Sequence, residues 1–124
     1  MSHQGKTQIT FIFTVPPDQV SEGERIFASH AKWMEETHYR DGDKALLTYD
    51  VAIGPEVSNP VDPSSEPTGN TCLVLHEVYE TPAGLEDHWQ QAAEGFADFS
   101  AFLAWTENVT VTVLHDSPVV HSLW

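Results

Sequence analysis

The chain has little positive charge and, past its first third, none: Lys44 is the last basic residue of 124, preceded only by Lys6, Arg25, Lys32 and Arg40. Against these five stand nineteen acidic residues, for a formal net charge of -14. Phosphate backbones and anionic membrane surfaces are held by clustered cations, so neither nucleic acid nor a membrane is expected as a partner. The carboxylate excess reads as a strongly hydrated surface of the kind that suits a saline cytoplasm. Cysteine is nearly absent too. Cys72 alone can form no intrachain disulfide, as fits a reducing compartment, and within an apolar strand it reads as a small hydrophobe. No run approaches the roughly 18 to 20 apolar residues of a membrane helix, and "MSHQGKTQIT" lacks the basic-then-apolar pattern of a secretion signal. A soluble cytoplasmic protein is the expectation, and the "NVT" triplet at Asn108 then reads as strand. Nucleophile elbows, phosphate-cradling glycine loops and dinucleotide fingerprints are also missing, which removes support for acyl, phosphoryl and hydride transfer by those routes.

What is present patterns as one domain over 1–124. "KTQITFIFTV" alternates, with Ile9, Phe11, Phe13 and Val15 on one face, and reads as a strand. "PPDQVSEGERIFASHAKWMEETH" predicts an amphipathic helix with Val20, Phe27, Ala31 and Met34 on one stripe, opened by a capping box from Ser21 to Glu24. A second strand covers "ALLTYDVAIG". "PEVSNPVDPSSEPTGN", residues 55–70, holds four of the eight prolines and predicts a long loop, a lid or mobile insertion. "TCLVLHEVYE" is a third strand, Thr81-Pro82 starts a helix that Gly95 interrupts, "FADFSAFLAW" resumes it, and "ENVTVTVLHD" is a fourth strand. The order, βαββαβ, is that of a ferredoxin-like α+β domain. Two helices on one face leave the other uncovered, with Ile12 and either Val109, Val111 and Val113 or their alternates on it. Pairing two such faces predicts a homodimer.

Seven histidines invite a metal hypothesis. His30 and His38, eight apart on one helix, stand roughly 12 Å apart and cannot share an ion. His76 and His88 can approach across the strand-to-helix turn with Glu77 or Glu80 beside them, and two histidines with a carboxylate can hold a transition metal. No ligand pair shows the i, i+4 spacing of a zinc helix, so a metal-free site is the expectation. The aromatics point to a pocket instead. Trp33, Trp89, Trp105, Tyr49, Tyr79 and Phe96, with His30, Met34 and His76, can enclose a flat apolar molecule between sheet and helices, although aromatics at helical spacing also suit plain core. His88 shares a face with Leu85 and Trp89, where it is either a satisfied core histidine or a proton carrier near neutral pH.

The element order, with "LHEVYETPAGLEDHW" and "FADFSAFLAW", resembles the antibiotic biosynthesis monooxygenase domain family of the dimeric α/β barrel superfamily. Members show a strand with a glutamate, an apolar residue and an aromatic, here Glu77, Val78 and Tyr79, then a helix bearing a histidine, here His88. The resemblance implies a homodimer forming a dimeric α/β barrel and oxidation of a phenol or dihydroquinone by O2 without metal, flavin or other cofactor. It implies His88 as base, Tyr79 as hydrogen-bond partner of the developing oxyanion, and Trp89 with Trp33 as apolar wall. Some members place an arginine in the pocket; here such a cation must come from the first helix or the turn after it. Strand one has no asparagine to support the haem chemistry of other relatives. A non-catalytic dimer holding a hydrophobic small molecule, and an isomerase, lyase or metal-dependent enzyme on the same scaffold, remain alternatives.

Overall fold

The apolar parity of "ITFIFTV" builds the centre of the sheet. Ile9, Phe11, Phe13 and Val15 of β1 (Thr7–Val15) are all buried on one face. In the computed structural model, which describes residues 2–124, β1 is followed by a short 3-10 turn over Pro17–Gln19, then α1 (Val20–Thr37), β2 (Leu46–Val57), β3 (Pro67–Tyr79), α2 (Pro82–Gly95), α3 (Phe99–Thr106) and β4 (Thr110–Pro118). The four strands pair antiparallel in the order β2-β3-β1-β4. The two most apolar strands are central, and the helices cover one face. This is the ferredoxin-like α+β fold expected, with its second helix divided at Gly95 as the glycine implied.

Directly opposed residues of an antiparallel pair share a face. Phe11 and Phe13 sit opposite Leu75 and Leu73 of β3 and stack on each other with centroids 5.4 Å apart. Phe27 of α1 and Phe102 and Trp105 of α3 pack onto them, so three elements meet in one aromatic cluster. Trp105 belongs to this core, its indole nitrogen donating to the Gln19 carbonyl at 3.0 Å.

Two expectations change, and one left open is decided. The capping box from Ser21 to Glu24 does not form, because Pro16 and Pro17 start a 3-10 turn that feeds directly into α1 at Val20 and leaves Ser21 inside the first turn. The loop over 55–70 is mostly hairpin: β2 and β3 stay paired through Pro55 opposite Thr71 and Val57 opposite Pro67, and only residues 58–66 leave the ladder. Both prolines are tolerated because β2 is an edge strand and β1 ends opposite Thr71, so no second neighbour needs the missing N–H. The turn ties itself down through Ser58 N–H to the Glu66 carbonyl and Ser65 Oγ to the Asp62 carbonyl. It lies roughly 33 Å along β3 from Glu77 at about 3.3 Å per residue, too far to act as a lid there. Finally, Val111 and Val113 oppose Phe13 and Phe11 and therefore face the helices. Their alternates Thr110, Thr112 and Leu114 share the uncovered face with Ile12; Ile12 is 41 % and Leu114 59 % exposed.

The start of α2 fits closely against the end of β3. Thr81 Oγ1 accepts from the Ala83 N–H and donates to the Asp43 carbonyl, with Pro82 at the first helical position. A Cβ on Gly84 would stand 2.9 Å from both the Lys44 carbonyl oxygen and Tyr79 Cδ1. Gly84→Ala is expected to lower stability by about 1–3 kcal/mol, since a backbone carbonyl cannot swing aside. Urea unfolding reads this directly, and an unchanged midpoint would contradict the close approach.

Candidate functional site

The same parity that buries Leu73 and Leu75 carries Glu77 and Tyr79 into the helix-covered side of β3. Glu77 is 0 % exposed. Its Oε1 accepts from the Tyr79 hydroxyl at 2.5 Å, while its Oε2 is buried without a hydrogen-bond partner. Facing it are His30, from the buried stripe of α1, and His88, from the buried stripe of α2. One ligand atom from each of His30, Glu77 and His88 lies within 4.8 Å of the other two.

Each histidine is held from behind. His30 Nδ1 lies 2.7 Å from the Tyr49 hydroxyl, and His88 Nδ1 lies 2.9 Å from His38 Nε2. A chain of hydrogen bonds assigns the His88 tautomer. Thr37 Oγ1 donates to the Trp33 carbonyl at 2.7 Å, so it accepts from His38 Nδ1, 2.9 Å away. Neutral His38 then offers a lone pair at Nε2, His88 Nδ1 donates to it, and His88 Nε2 is left as a bare lone pair. Trp33 and Phe96 close the outer side, with Trp33 5.7 Å from both histidine rings and Phe96 5.3 Å from His30.

Burial sets the charges. It pushes His88 down to about 3, helped by His30 and His38, and His30 down to about 4, helped by His38. His38 is lowered by burial against the opposing pull of Asp87 and the Met34 backbone. Glu77 is pushed up to about 7 by burial, with the Tyr79 hydrogen bond working against that. Both tyrosines are raised, Tyr79 and Tyr49 alike through burial first and the Glu77 charge second. At neutral pH the histidines are therefore uncharged acceptors or ligands. The carboxyl is brought into the range where a group exchanges protons near neutral pH, and His88 presents a free lone pair beside it.

Between these groups lies a cavity of about 30 Å³ bordered by Phe11, Phe27, Leu75, Trp89, Phe96 and Phe102. That volume takes a water or two, or a diatomic molecule, and no aromatic ring. The pocket expected to enclose a flat ligand is filled by the protein's own rings. A cleft of about 350 Å³ opens instead between the end of α1 and β2, walled by Met34, Leu46 and Leu47. His38 and Tyr49, the two partners of the cavity histidines, also line it, and Arg40 stands there too, from the turn where a pocket cation was expected.

The structure thus brings together His30, Trp33, Tyr49, Tyr79, His88, Trp89 and Phe96, with Met34 on the cleft side. His76 is a correction: it lies on the uncovered face, its Nδ1 2.9 Å from Thr10 Oγ1, because its even position in β3 gives it the parity of Cys72 and Val74. His30 takes the place beside His88 and Glu77 that His76 was expected to fill. Glu77 and His38 were missed as site residues. The parity of Leu73, Leu75 and Tyr79 marks Glu77, and the i, i+4 step from Met34 marks His38.

No family model and no curated protein matches this chain. Among solved structures it is similar to a dimeric ferredoxin-like protein from an uncultured marine organism, with 14 % identity, a TM-score of 0.56, and coverage of 95 % of this chain and 99 % of the other. That likeness establishes the ferredoxin-like fold. Among the described residues, no helix is long and apolar enough to cross a membrane.

The charge states predict an acid response. His88 and His30 titrate lower in the folded chain than the roughly 6.5 of an unfolded histidine, so below that pH the unfolded state binds more protons and stability falls. Glu77 acts in the opposite sense, losing stability as pH rises from the ordinary carboxylate range through about 7. Comparison with His88→Gln cancels Glu77 and the surface charges. Between pH 6.5 and 4 the wild type is expected to lose stability faster than His88→Gln in thermal unfolding, and parallel curves would contradict the buried neutral state.

Proposed function

We propose that this protein is a homodimeric cytoplasmic monooxygenase that oxidises a phenol or dihydroquinone with O2 and without metal, flavin or other cofactor. The observation that supports it most is Glu77 Oε2, an unpartnered acceptor at the border of a small aromatic cavity, with an open cleft of mixed polar and apolar lining on the far side of His38 and Tyr49. A phenolic hydroxyl is a donor suited to that vacancy. The substrate ring lies in the cleft against Met34, Leu46 and Leu47, with its hydroxyl directed between His38 and Tyr49. Transfer of its proton leaves an electron-rich anion able to pass one electron to O2, a step that triplet oxygen needs and closed-shell phenols supply poorly. The small cavity suits the diatomic oxidant. For a dihydroquinone the balance closes: one oxygen atom enters a ring C–H as hydroxyl and the other leaves as water. All four electrons come from the ring as it becomes a hydroxyquinone.

Exclusion of water serves the reaction twice, by raising the Glu77 carboxyl and by protecting the anion once formed. Tyr79 holds Oε1 and so aims Oε2. The dimer is supported by the exposed Ile12 and Leu114 on the uncovered sheet face and by the dimeric state of the structural neighbour. A single free thiol, Cys72, fits a reducing compartment.

Oxygen uptake with a panel of phenols and dihydroquinones, on protein sized by light scattering, tests the whole proposal. The wild type is expected to be a dimer that consumes oxygen, with Glu77→Gln reducing turnover about 10²-fold or more and Tyr79→Phe about tenfold. A monomer without uptake, or uptake unaffected by Glu77→Gln, would contradict it.

A further inference from the structure

His30, Glu77 and His88 offer more than an acid–base group, and the geometry points to a binding site for one divalent first-row transition metal, ligated by the two imidazoles and the Glu77 carboxylate. Three independent features converge on one point. Glu77 Oε2 is buried with no partner. His88 Nε2 carries a lone pair assigned by the hydrogen-bond chain through His38, Thr37 and the Trp33 carbonyl. His30 has its Nδ1 engaged by Tyr49, leaving Nε2 for the cavity. Two imidazoles and a carboxylate on three different elements form the two-histidine, one-carboxylate set that takes iron and its neighbours and leaves coordination positions open.

Distances agree. The donor atoms lie within 4.8 Å of one another, and an ion held at about 2.0–2.2 Å needs them at most about 4.3 Å apart, so each donor moves inward by about an ångström or less. A cavity of about 30 Å³ already occupies the intervening space. The supporting contacts are those that ligating histidines use: a ring N–H held from behind fixes tautomer and orientation. His38 does this for His88, and the Tyr49 hydroxyl, 2.7 Å behind His30 Nδ1, can accept that ring's N–H in the same way. Among the described residues no basic side chain pairs with Glu77: Lys6 pairs with Glu80 and Lys44 with Asp87.

The inference does not depend on the proposed reaction: an ion on Glu77 Oε2 takes the place of the proton the carboxylate accepts there, so the two uses of that oxygen are alternatives. The test uses the full chain, stripped with chelator and titrated with Co²⁺. One cobalt per chain with visible absorption bands is expected, and His30→Gln, His88→Gln and Glu77→Gln should each weaken binding at least tenfold. His76→Gln, on the other face, should bind as wild type, which separates the site from adventitious binding to an acidic surface. Thr37→Val leaves the donors in place and breaks only the chain that assigns the His88 tautomer; about tenfold weaker binding is expected. Cobalt uptake equal in wild type and His88→Gln, or none in either, would overturn the site and leave a water as the occupant. Oxygen uptake by protein that takes up no cobalt would also overturn it while preserving the reaction. Cobalt bound without oxygen uptake would support the site and count against the reaction.

Discussion

The molecule is organised around a carboxyl withdrawn from bulk solvent. Glu77 sits on a central strand with one oxygen held by Tyr79 and the other by nothing, and burying such a group is costly unless it is neutralised or paired. Among the described residues no lysine or arginine pairs with it. The chain's few cations sit at the surface: Lys6 with Glu80, Arg25 with Glu22 and Asp98, Lys44 with Asp87. The neighbours supplied are neutral imidazoles instead, and their neutrality is itself a product of the same burial.

Everything around that carboxyl keeps it out of bulk solvent and aimed. Gly84 lets α2 approach Tyr79 closely, which brings His88 over the end of β3. The aromatic cluster on Phe11 and Phe13 closes the floor, while Trp33 and Phe96 close the side. Ordering so many rings around a volume fit for one or two small molecules separates two tasks. The closed cavity holds the reactive groups, and the open cleft beside His38, Arg40 and Tyr49 is where a larger molecule has room. His38 and Tyr49 line the cleft and hydrogen-bond to His88 and His30 of the cavity, so they couple the contents of the cleft to the orientation of the cavity histidines.

Much of the fold was legible because period-2 and period-3.6 patterns are read residue by residue: β1, both long helices, the break at Gly95 and the βαββαβ order all follow from them. The hairpin over 55–70 was not, because prolines signal loop unless the missing ladder neighbour is known. The face of Val111 and Val113 depended on register, which alternation alone leaves two-valued. In the site, His88, Tyr79 and Tyr49 were visible through their apolar companions. Glu77 was legible as a motif residue and as one of two carboxylates near His88, but not as the buried centre of the site, because a lone carboxylate in a strand is ordinarily turned to solvent. His76 was preferred to His30 on proximity along the chain, whereas pairing across the sheet and helix layer decides which histidines meet.

The central claim is that Glu77 is kept for its chemistry and at the expense of the fold. The direct measurement is the equilibrium stability, in the presence of chelator, of the double substitution Glu77→Met with Tyr79→Phe, which removes the carboxyl and its hydroxyl partner together at similar volume. Replacing both members of a buried polar pair by apolar groups is close to neutral or stabilising. The account predicts an unfolding free energy equal to or above that of the wild type, with oxygen uptake and cobalt binding gone. A loss of more than about 2 kcal/mol would show instead that the carboxyl holds the fold together, and the site would reduce to a structural hydrogen bond.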